Sequence, residues 1–197
     1  MTKILAFSGR KQSGKTTGAQ YVESLINNQG LNISYRIYSF ADPLKEDICI
    51  NILGLTYEQC YGSDEDKNTM TKLEWQGEKL TARRAMEVIG TDIFRQLYNP
   101  VWVEATINKI KKDNLDLAII CDCRFPNEAD IILDDNGYVI RLDLDPFNSQ
   151  SNSECALDKH KYPWSKFSCV IANSGMTIQQ KNEAILRFLS EKGILSL

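Results

Sequence analysis

The chain has 197 residues, of which 43% are hydrophobic and 25% are charged, as is ordinary for a globular protein. This length is enough for one α/β domain with a proper core and a small inserted lobe. The formal net charge of −3 argues against a broad nucleic-acid-binding surface, which needs a basic face. No apolar run approaches the roughly 18 residues of a membrane span, and nothing resembles a signal peptide. We therefore expect a cytoplasmic protein that binds neither nucleic acid polymers nor membranes.

The six cysteines are scattered along the chain and include no C-x-x-C pair. Their spacing does not match that of zinc ligands. Several of them lie in apolar, strand-like runs, where a thiol behaves as a small hydrophobic group. We expect reduced thiols and no zinc site.

The first half of the chain alternates short apolar runs with segments of helical periodicity. Pro43 suits the first turn of a helix, and Gly54 suits its end. In chain order we predict a strand at 3–7, a helix at 14–28, a strand ending near residue 40, and helices at 43–54 and 56–62. Residues 63–78 are polar and show no apolar periodicity. We predict that this segment is irregular, exposed and mobile.

The second half of the chain continues the alternation. Thr81 is placed to cap a helix over 82–98, and Thr177 with Gln180 forms a capping box for the closing helix. The apolar face of the helix over 82–98 is predicted to consist of Met86, Ile89, Ile93 and Leu97. The remaining predicted elements are a helix from near residue 100, strands at 117–121, 137–144 and 167–173, and a helix at 177–193.

A glycine-bracketed loop follows the first predicted strand and precedes the first helix. Gly9, Gly14, Lys15 and Thr16 fill the four fixed positions of the pattern G-x-x-x-x-G-K-[ST]. Backbone N–H groups of such a loop and the positive end of the following helix bind phosphate. Lys15 would reach the β- and γ-phosphates, and the Thr16 hydroxyl would bind Mg²⁺. The sequence therefore predicts a nucleoside triphosphate site.

The predicted elements and this loop together define the expected fold. Strands that alternate with helices predict a parallel sheet with helices on both faces. We expect an α/β, P-loop NTPase-type sheet of about five strands, flanked by helices, with a small insertion. We predict a single domain whose core spans 1–40 and 100–197, with a helical insertion at about 41–99.

Charged residues at the predicted sheet edge could complete the site. Asp122 directly follows an apolar strand, where it could hold Mg²⁺ or merely cap a turn. Arg124 lies two residues further on and could stabilise a transferred phosphoryl group. Glu128 could share in that chemistry or only complement a helix N-terminus and pair with Arg124. Arg83 and Arg84 begin a helix, where they could meet an anion or form a solvated face.

The motifs SGRKQSGKTT, YSFADPLKE, TARRAMEVIGTDIFR, DCRFPNEAD, SECALD and VIANSG resemble, in this order, those of phage-type deoxynucleoside monophosphate kinases. That family belongs to the nucleoside monophosphate kinase branch of the P-loop kinases. The resemblance covers nearly the whole chain and is weakest at 60–80 and 145–167. Asp145 stands where relatives commonly have arginine, which puts a phosphate contact from that corner in doubt.

The resemblance implies a role for several sets of residues. The ATP phosphates would contact Gly9, Arg10, Lys11, Gln12, Ser13, Gly14, Lys15, Thr16 and Thr17. The acceptor monophosphate would contact Ala41, Asp42, Lys45, Arg83, Arg84, Trp102, Arg124, Glu128 and Arg141, so the insertion would be an acceptor-binding lid region. Catalytic roles would fall to Lys15, Arg84, Arg124 and Glu128, and Mg²⁺ would be held by Thr16 and Asp122.

The implied activity is transfer of the γ-phosphoryl of ATP to a deoxynucleoside 5′-monophosphate, which makes small-molecule nucleotides the partners. A phage-encoded chain would act in the host cytoplasm. Two alternatives stay open, another small-molecule P-loop kinase and a nucleotide-binding regulatory protein. No N/T-K-x-D guanine motif follows a later strand, which argues against a GTPase. The sequence leaves base specificity open, as well as the choice between a monomer and a homodimer.

Overall fold

The computed structural model describes residues 2–147 and 152–195, which divide into two compact units. The core unit comprises the residues up to Ser39 and those from Asn108 onwards, and the inserted unit comprises Phe40–Ile107. That the whole chain acts as one kinase domain stays a prediction. In chain order the elements are β1 (Lys3–Ser8), α1 (Lys15–Asn28), β2 (Tyr35–Tyr38), α2 (Pro43–Ile52), α3 (Tyr57–Tyr61), α4 (Asp64–Lys67), β3 (Met70–Trp75), β4 (Glu78–Thr81), α5 (Ala82–Glu87), α6 (Val88–Arg95), α7 (Val101–Asp113), β5 (Leu117–Cys123), α8 (Pro126–Asp134), β6 (Tyr138–Leu142), α9 (Asn152–Cys155), a 3₁₀ turn (Trp164–Lys166), β7 (Cys169–Ile171) and α10 (Ile178–Glu191).

A five-stranded sheet in the order β2-β5-β1-β6-β7 forms the centre of the core unit. All of its strand pairs are parallel. Leu5 and Phe7 of β1 pack with Val22 of α1 and Ile185 of α10 in one buried cluster. The alternate residue Ile4 is buried as well, and α8 contacts β1 and β6. Because successive strand residues point to opposite faces, both faces of the sheet are covered, and the predicted fold class is confirmed.

The strand order determines where the site forms. β1 lies between β5 and β6, so the carboxyl ends of these three parallel strands are neighbours. The glycine loop leaves the end of β1, and the segment of Asp122 and Arg124 leaves the end of β5. Ligands of open α/β sheets bind at this edge. The fold therefore gathers the loop and the predicted charged residues of the core unit at one place.

The inserted unit has a core of its own. Leu44, Cys49, Leu55, Cys60 and Trp102 form a buried cluster. The helix predicted at 43–54 is present as α2, with Pro43 in its first turn and Gly54 just beyond its end in a left-handed conformation (φ 71°). The predicted short helix is present as α3, with a capping box from Thr56 and Gln59.

The prediction that residues 63–78 are irregular was wrong. They form α4, β3 and the start of β4, and β3 and β4 pair as an antiparallel hairpin. Gln76 and Gly77 both have positive φ values (54° and 85°), which is the two-residue turn that matches the twist of paired strands. Leu73 and Leu80 pack inward from the hairpin. A hairpin with so few apolar residues gives little periodicity, and only the Gln-Gly turn marks it in the sequence.

The helix predicted over 82–98 begins as expected, because the Thr81 hydroxyl accepts the N–H of Arg84. From Val88 the winding widens from α-helical to π-helical, and α6 ends at Arg95. The buried residues are Ala82, Ala85, Val88 and Gly90. Leu97, which we predicted on the apolar face, is 80% exposed. The prediction was wrong at that residue because a spacing of 3.6 residues per turn does not hold through a π-helix.

The described part of the chain contains no helix whose length and hydropathy together would let it cross a membrane.

Candidate active site

The glycine loop of residues 9–14 closes around the side chain of Lys15. The Lys15 ammonium donates to the carbonyl oxygens of Gly9 (2.8 Å) and Arg10 (2.7 Å), and the Ser13 N–H donates to the Arg10 carbonyl as well. Gly14 adopts φ 98° at the N-cap of α1, where an L side chain would be strained. The Ser13 hydroxyl is buried without a hydrogen-bond partner within the described structure. A phosphate oxygen would supply that partner, so the loop fits a phosphate ligand.

Burial and neighbouring charges set the protonation of Lys15. The side chain is only 6% exposed, and this burial is the main reason that its pKa is lowered to about 8. Arg124 and Arg141 lower the pKa further, whereas Glu154 and Asp122 raise it. These effects require the groups to be near the ammonium. Lys15, Asp122 and Arg124, which the sequence predicts together, therefore share one site in the core unit.

Asp122 lies near the end of β5 and accepts a hydrogen bond from the Ser39 hydroxyl (2.5 Å). Thr16, the other predicted Mg²⁺ ligand, is an exposed residue in the first turn of α1. The described residues contain no cluster of three or more metal-ligating side chains. Mg²⁺ in phosphoryl-transfer sites is held by one or two protein oxygens, water and substrate phosphates. One hydroxyl and one carboxylate are a donor set that fits such an ion.

Glu128 holds the backbone from which Arg124 projects. Its buried carboxylate accepts the backbone N–H groups of Arg124 (2.7 Å) and Phe125 (3.1 Å) at the start of α8. The Arg124 guanidinium pairs with Glu154 of α9, which also accepts the backbone N–H of Lys11. The sequence left open that Arg124 pairs with Glu128. In the described contacts, the Arg124 guanidinium pairs with Glu154. Of the two hypotheses for Glu128, a share in the chemistry or a complement to a helix N-terminus, these contacts match the second.

Two buried arginines, Arg10 of the loop and Arg141 of β6, form ion pairs and share the carboxylate of Asp158. Arg10 pairs with Asp145 (2.9 Å) and Asp158 (2.6 Å). Arg141 is 3% exposed, donates to the Ser8 hydroxyl (3.1 Å) and stacks on the Trp164 ring. Burial lowers the pKa of Arg141. These contacts are those of structural arginines, and a contact of Arg141 with the acceptor stays a prediction.

Three residues outside our predicted set also contact the loop. Asn173 donates to the Ser13 carbonyl (2.9 Å) and accepts the Leu144 N–H (3.0 Å), which ties the loop to the segment after β6. Lys181 of α10 donates to the Thr17 hydroxyl (2.8 Å). Glu154, described above, is the third. Glu154 and Asn173 lie in motifs that carry the family resemblance, SECALD and VIANSG, whereas no sequence signal marks Lys181.

Two predicted acceptor residues of the inserted unit meet at Tyr61. The Tyr61 hydroxyl donates to Asp42 (2.9 Å), and the Lys45 ammonium lies 4.3 Å from the centre of the Tyr61 ring. Burial and the nearby Asp42 raise the pKa of Tyr61. Ala41, also predicted, is half-buried just before Asp42. This group places a carboxylate, an ammonium and a phenol within one small region.

The paired arginines at the start of α5 are exposed. Arg83 pairs with Asp64 (2.7 Å), and Arg84 pairs with Asp92 (3.1 Å) and Glu87 (3.4 Å). The Arg84 side chain is 51% exposed and borders a surface pocket of about 360 Å³ along the β3–β4 hairpin. Surface pairs of this kind contribute little to stability and exchange partners readily.

Trp102 is a core residue of the inserted unit. It is 5% exposed, its indole N–H donates to the Gly90 carbonyl (3.0 Å), and its ring packs 5.2 Å from that of Phe94. We predicted that Trp102 contacts the acceptor. The described contacts are those of a packing residue, and the acceptor contact stays a prediction.

Three features define a P-loop nucleotide-binding protein. They are a glycine loop after the central strand of a parallel sheet, a buried lysine on which this loop closes, and a carboxylate at the end of the neighbouring strand. The sequence profile of the family described as "Deoxynucleotide monophosphate kinase" matches residues 56–176, more than half of the chain. A protein of Acanthamoeba polyphaga mimivirus, provisionally named deoxynucleotide monophosphate kinase, is 34% identical over an alignment of 152 positions that covers 71% of this chain and 73% of that protein. The chain belongs to the deoxynucleotide monophosphate kinase family.

A second relative and two solved structures are more distant. The deoxynucleoside-5′-monophosphate kinase of Escherichia phage T5 is 34% identical over 67 residues, 34% of this chain and 25% of that protein. Shikimate kinase from Acinetobacter baumannii is 10% identical, with a TM-score of 0.47 over 98% of this chain and 95% of that one. APS kinase from Mycobacterium tuberculosis is 13% identical, with a TM-score of 0.44 over 96% and 98%. Structural likeness at this level supports no conclusion about this chain.

Proposed function

We propose that the protein transfers the γ-phosphoryl group of ATP to a deoxynucleoside 5′-monophosphate, giving ADP and the deoxynucleoside diphosphate. The proposal rests on the charged side chains around Lys15, taken together with the chain's membership of this family. Its buried ammonium is electrostatically coupled to Arg124, Asp122 and Glu154 at the carboxyl edge of the sheet. Phosphoryl transfer depends mainly on positioning and on charge stabilisation, and this edge supplies both.

In this proposal the glycine loop and Lys15 bind the phosphates of ATP. The N–H groups of the loop and of the first turn of α1 donate to phosphate oxygens. Lys15 exchanges its bonds to the carbonyls of Gly9 and Arg10 for bonds to the phosphates. The unpartnered hydroxyl of Ser13 gains an acceptor. The negative charge of the phosphates also raises the pKa of Lys15 and so favours its protonated form.

Thr16 and Asp122 would hold Mg²⁺. The ion would neutralise part of the negative charge on the phosphates, and Lys15 and Arg124 would neutralise a further part. The Ser39 hydroxyl orients the Asp122 carboxylate by its hydrogen bond. One protein carboxylate leaves most coordination positions to water and phosphate, as Mg²⁺ prefers.

Arg124 is the residue that we assign to the transferred phosphoryl group. Its planar guanidinium can bond two oxygens at once, which an ammonium cannot do. Glu128 fixes the backbone at Arg124, so it acts as a positioning residue. The attacking phosphate oxygen of the acceptor is already ionised, and the reaction therefore requires no general base. The capping contacts of Glu128 are consistent with this.

We assign the acceptor to residues of the inserted unit. In the described part of the chain, Arg83 and Arg84 pair with side chains that are well exposed to solvent, so they can exchange these partners for a phosphate. Lys45 and Asp42 could bond further polar groups of the acceptor. Which base is accepted, and whether ribose is rejected, depends on groups that only a bound acceptor would identify.

The test is a panel in which the purified protein, ATP and Mg²⁺ are mixed with each deoxynucleoside and ribonucleoside monophosphate in turn. Chromatography then resolves the products. We expect ADP and one or more deoxynucleoside diphosphates in equal amounts, and no products after addition of a chelator. ADP release that does not depend on any acceptor would instead indicate a nucleotide-hydrolysing regulatory protein. A folded protein that binds ATP but phosphorylates none of these acceptors would indicate a kinase for another small molecule.

A further inference from the structure

Lys181 brings a second ammonium group to the start of α1. Its Nζ atom lies 2.8 Å from the hydroxyl of Thr17, which itself donates to the Gly14 carbonyl (2.9 Å). A Cβ atom added to Gly14 would lie 3.2 Å from the same Nζ atom. The side chain therefore lies directly against the turn in which the glycine loop becomes a helix.

Lys181 is a buried ammonium group that no described acidic side chain neutralises. Lys181 is 5% exposed, and burial, the single cause of its shift, lowers its pKa. In the part of the chain that the structure describes, no carboxylate forms an ion pair with it. Buried ammonium groups are normally paired, because removing an isolated charge from water is costly.

The helices around Lys181 add to this excess of positive charge. Thr17 lies in the first turn of α1, which contains no acidic residue and whose N-cap, Gly14, has no capping side chain. Lys181 itself lies near the beginning of α10, four residues after the N-cap Thr177. A helix N-terminus carries a partial positive charge. An ammonium between two helix N-termini, with no ion-paired acid among the residues that the structure describes, is positioned to bind an anion.

We propose that Lys181 is a second phosphate-binding lysine, which contacts the phosphates of the bound nucleotide that are not transferred. This inference rests on the proposed function, because the anion is the nucleotide itself. Lys181 lies against Thr17 and Gly14 at the start of α1, whereas the Lys15 ammonium lies against the carbonyl oxygens of Gly9 and Arg10. We therefore assign Lys181 to a different part of the triphosphate, on the side of Thr17.

The test measures ADP binding by calorimetry, since ADP keeps the phosphates that are not transferred. We expect Lys181→Met to lower the affinity for ADP and for a nonhydrolysable ATP analogue by the same factor. That factor should be about 10-fold or more, the effect of one lost charged hydrogen bond. KM for ATP should rise likewise, and kcat at saturating ATP should stay within about 3-fold because the transferred group is not touched. Lys181→Arg should restore part of the affinity.

Stability separates this role from a structural one. If Lys181 served only to hold Thr17, Lys181→Met would lower the melting temperature of the nucleotide-free protein, and Lys181→Gln, whose amide can still donate to the Thr17 hydroxyl, would keep the wild-type affinity for ADP. We expect the melting temperature to stay the same or to rise, because a buried unpaired charge is removed. Lys192→Met, at an exposed position just after α10, controls for the change in net charge.

Two results would overturn the inference. An unchanged ADP affinity in folded Lys181→Met or Lys181→Gln would remove Lys181 from the site while leaving the proposed function intact. Wild-type protein that binds neither ADP nor the ATP analogue would remove the proposed function together with it.

Discussion

The two units of the molecule hold their cations in opposite ways. In the core unit, Lys15, Arg10 and Arg141 are buried and bonded to the glycine loop, to strand ends or to carboxylates. In the inserted unit, Arg83 and Arg84 are exposed and pair with exposed acids on the surface. Buried charges are held in one geometry and are costly to change, whereas surface pairs contribute about 0–1 kcal/mol and exchange easily.

This difference suggests a division of labour. Electrostatic catalysis is most effective when the stabilising charges are already in place, so that little reorganisation accompanies the reaction. The core unit has that property around Lys15. An acceptor-binding unit gains from the opposite property, because its cations must leave one anion to take another. Mutations should therefore affect turnover in the core unit and acceptor affinity in the inserted unit.

The largest effect is expected for Lys15→Met. Removal of a preorganised charge next to the reacting phosphates should lower kcat by about 10³-fold. The apolar stem of methionine keeps the packing, so the fold should be retained. Steady-state kinetics with a saturating acceptor and circular dichroism would measure the two quantities. Turnover like that of the wild type would show that the buried charge of Lys15 is structural only.

The pH dependence of stability provides a control for this variant. The pKa of Lys15 is lowered from its ordinary value of 10.5 to about 8 in the folded protein, so the unfolded chain binds more protons between these pH values. Stability contributed by this group therefore rises as pH increases from about 8 to 10.5. In Lys15→Met this part of the rise should disappear. Urea unfolding of both proteins across this range would measure the difference, and identical pH profiles would contradict the assigned burial of the charge.

Arg124→Lys tests whether the geometry of the cation matters as well as its charge. If the guanidinium spans two phosphoryl oxygens, kcat should fall by about 10²-fold, or roughly 2.7 kcal/mol of transition-state stabilisation. ATP affinity and melting temperature should change little. Arg36→Lys, in an exposed pair with Asp113, is the matched control and should have no effect on kcat. A value of kcat within a few-fold of the wild type would place Arg124 outside the reaction centre.

Arg84→Gln tests whether an exposed arginine of the inserted unit binds the acceptor. Its pairs with Glu87 and Asp92 are exposed, so their loss should change the free energy of unfolding by less than about 1 kcal/mol. KM for the acceptor should rise by about 10-fold, the effect of one lost charged hydrogen bond. Arg187→Gln, at an exposed position of α10, is the control for net charge. Loss of stability without any change in KM would mean that the surface arginines of the inserted unit are structural.

Most of the fold could be predicted because its signals are local. The apolar runs of β1 and β5, the caps at Thr81 and Thr177, and the glycine loop each depend on a few adjacent residues, and the structure contains all of them. The hairpin at β3 and β4 was missed because its stability comes from cross-strand pairing and not from periodicity. Leu97 was misplaced because the widening of a helix is a tertiary effect that sequence spacing does not report.

The site was predicted less completely, for a related reason. Lys15, Asp122 and Arg124 belong to motifs in which neighbouring residues define the role. The partners that hold them are distant in sequence, as with Glu154 for Arg124 and Lys181 for Thr17. Which carboxylate meets which cation depends on the packing of the chain. The sequence therefore suggests the reacting groups and leaves their supporting contacts unspecified.

The smallest effect is expected for Trp102→Phe, which decides whether a predicted acceptor residue is a packing residue. The substitution removes the hydrogen bond to the Gly90 carbonyl and part of the ring that packs on Phe94. We expect the free energy of unfolding to fall by about 1–2 kcal/mol, measured by urea denaturation, while kcat and KM stay within about 2-fold. Trp75→Phe, on the more exposed hairpin, should cost less than about 0.5 kcal/mol and serves as the control for stability. If instead KM for the acceptor rose about 10-fold with no loss of stability, Trp102 would touch the acceptor. The inserted unit would then bind its ligand through a buried residue, as the core unit does, and the contrast between the two units would not extend to the acceptor.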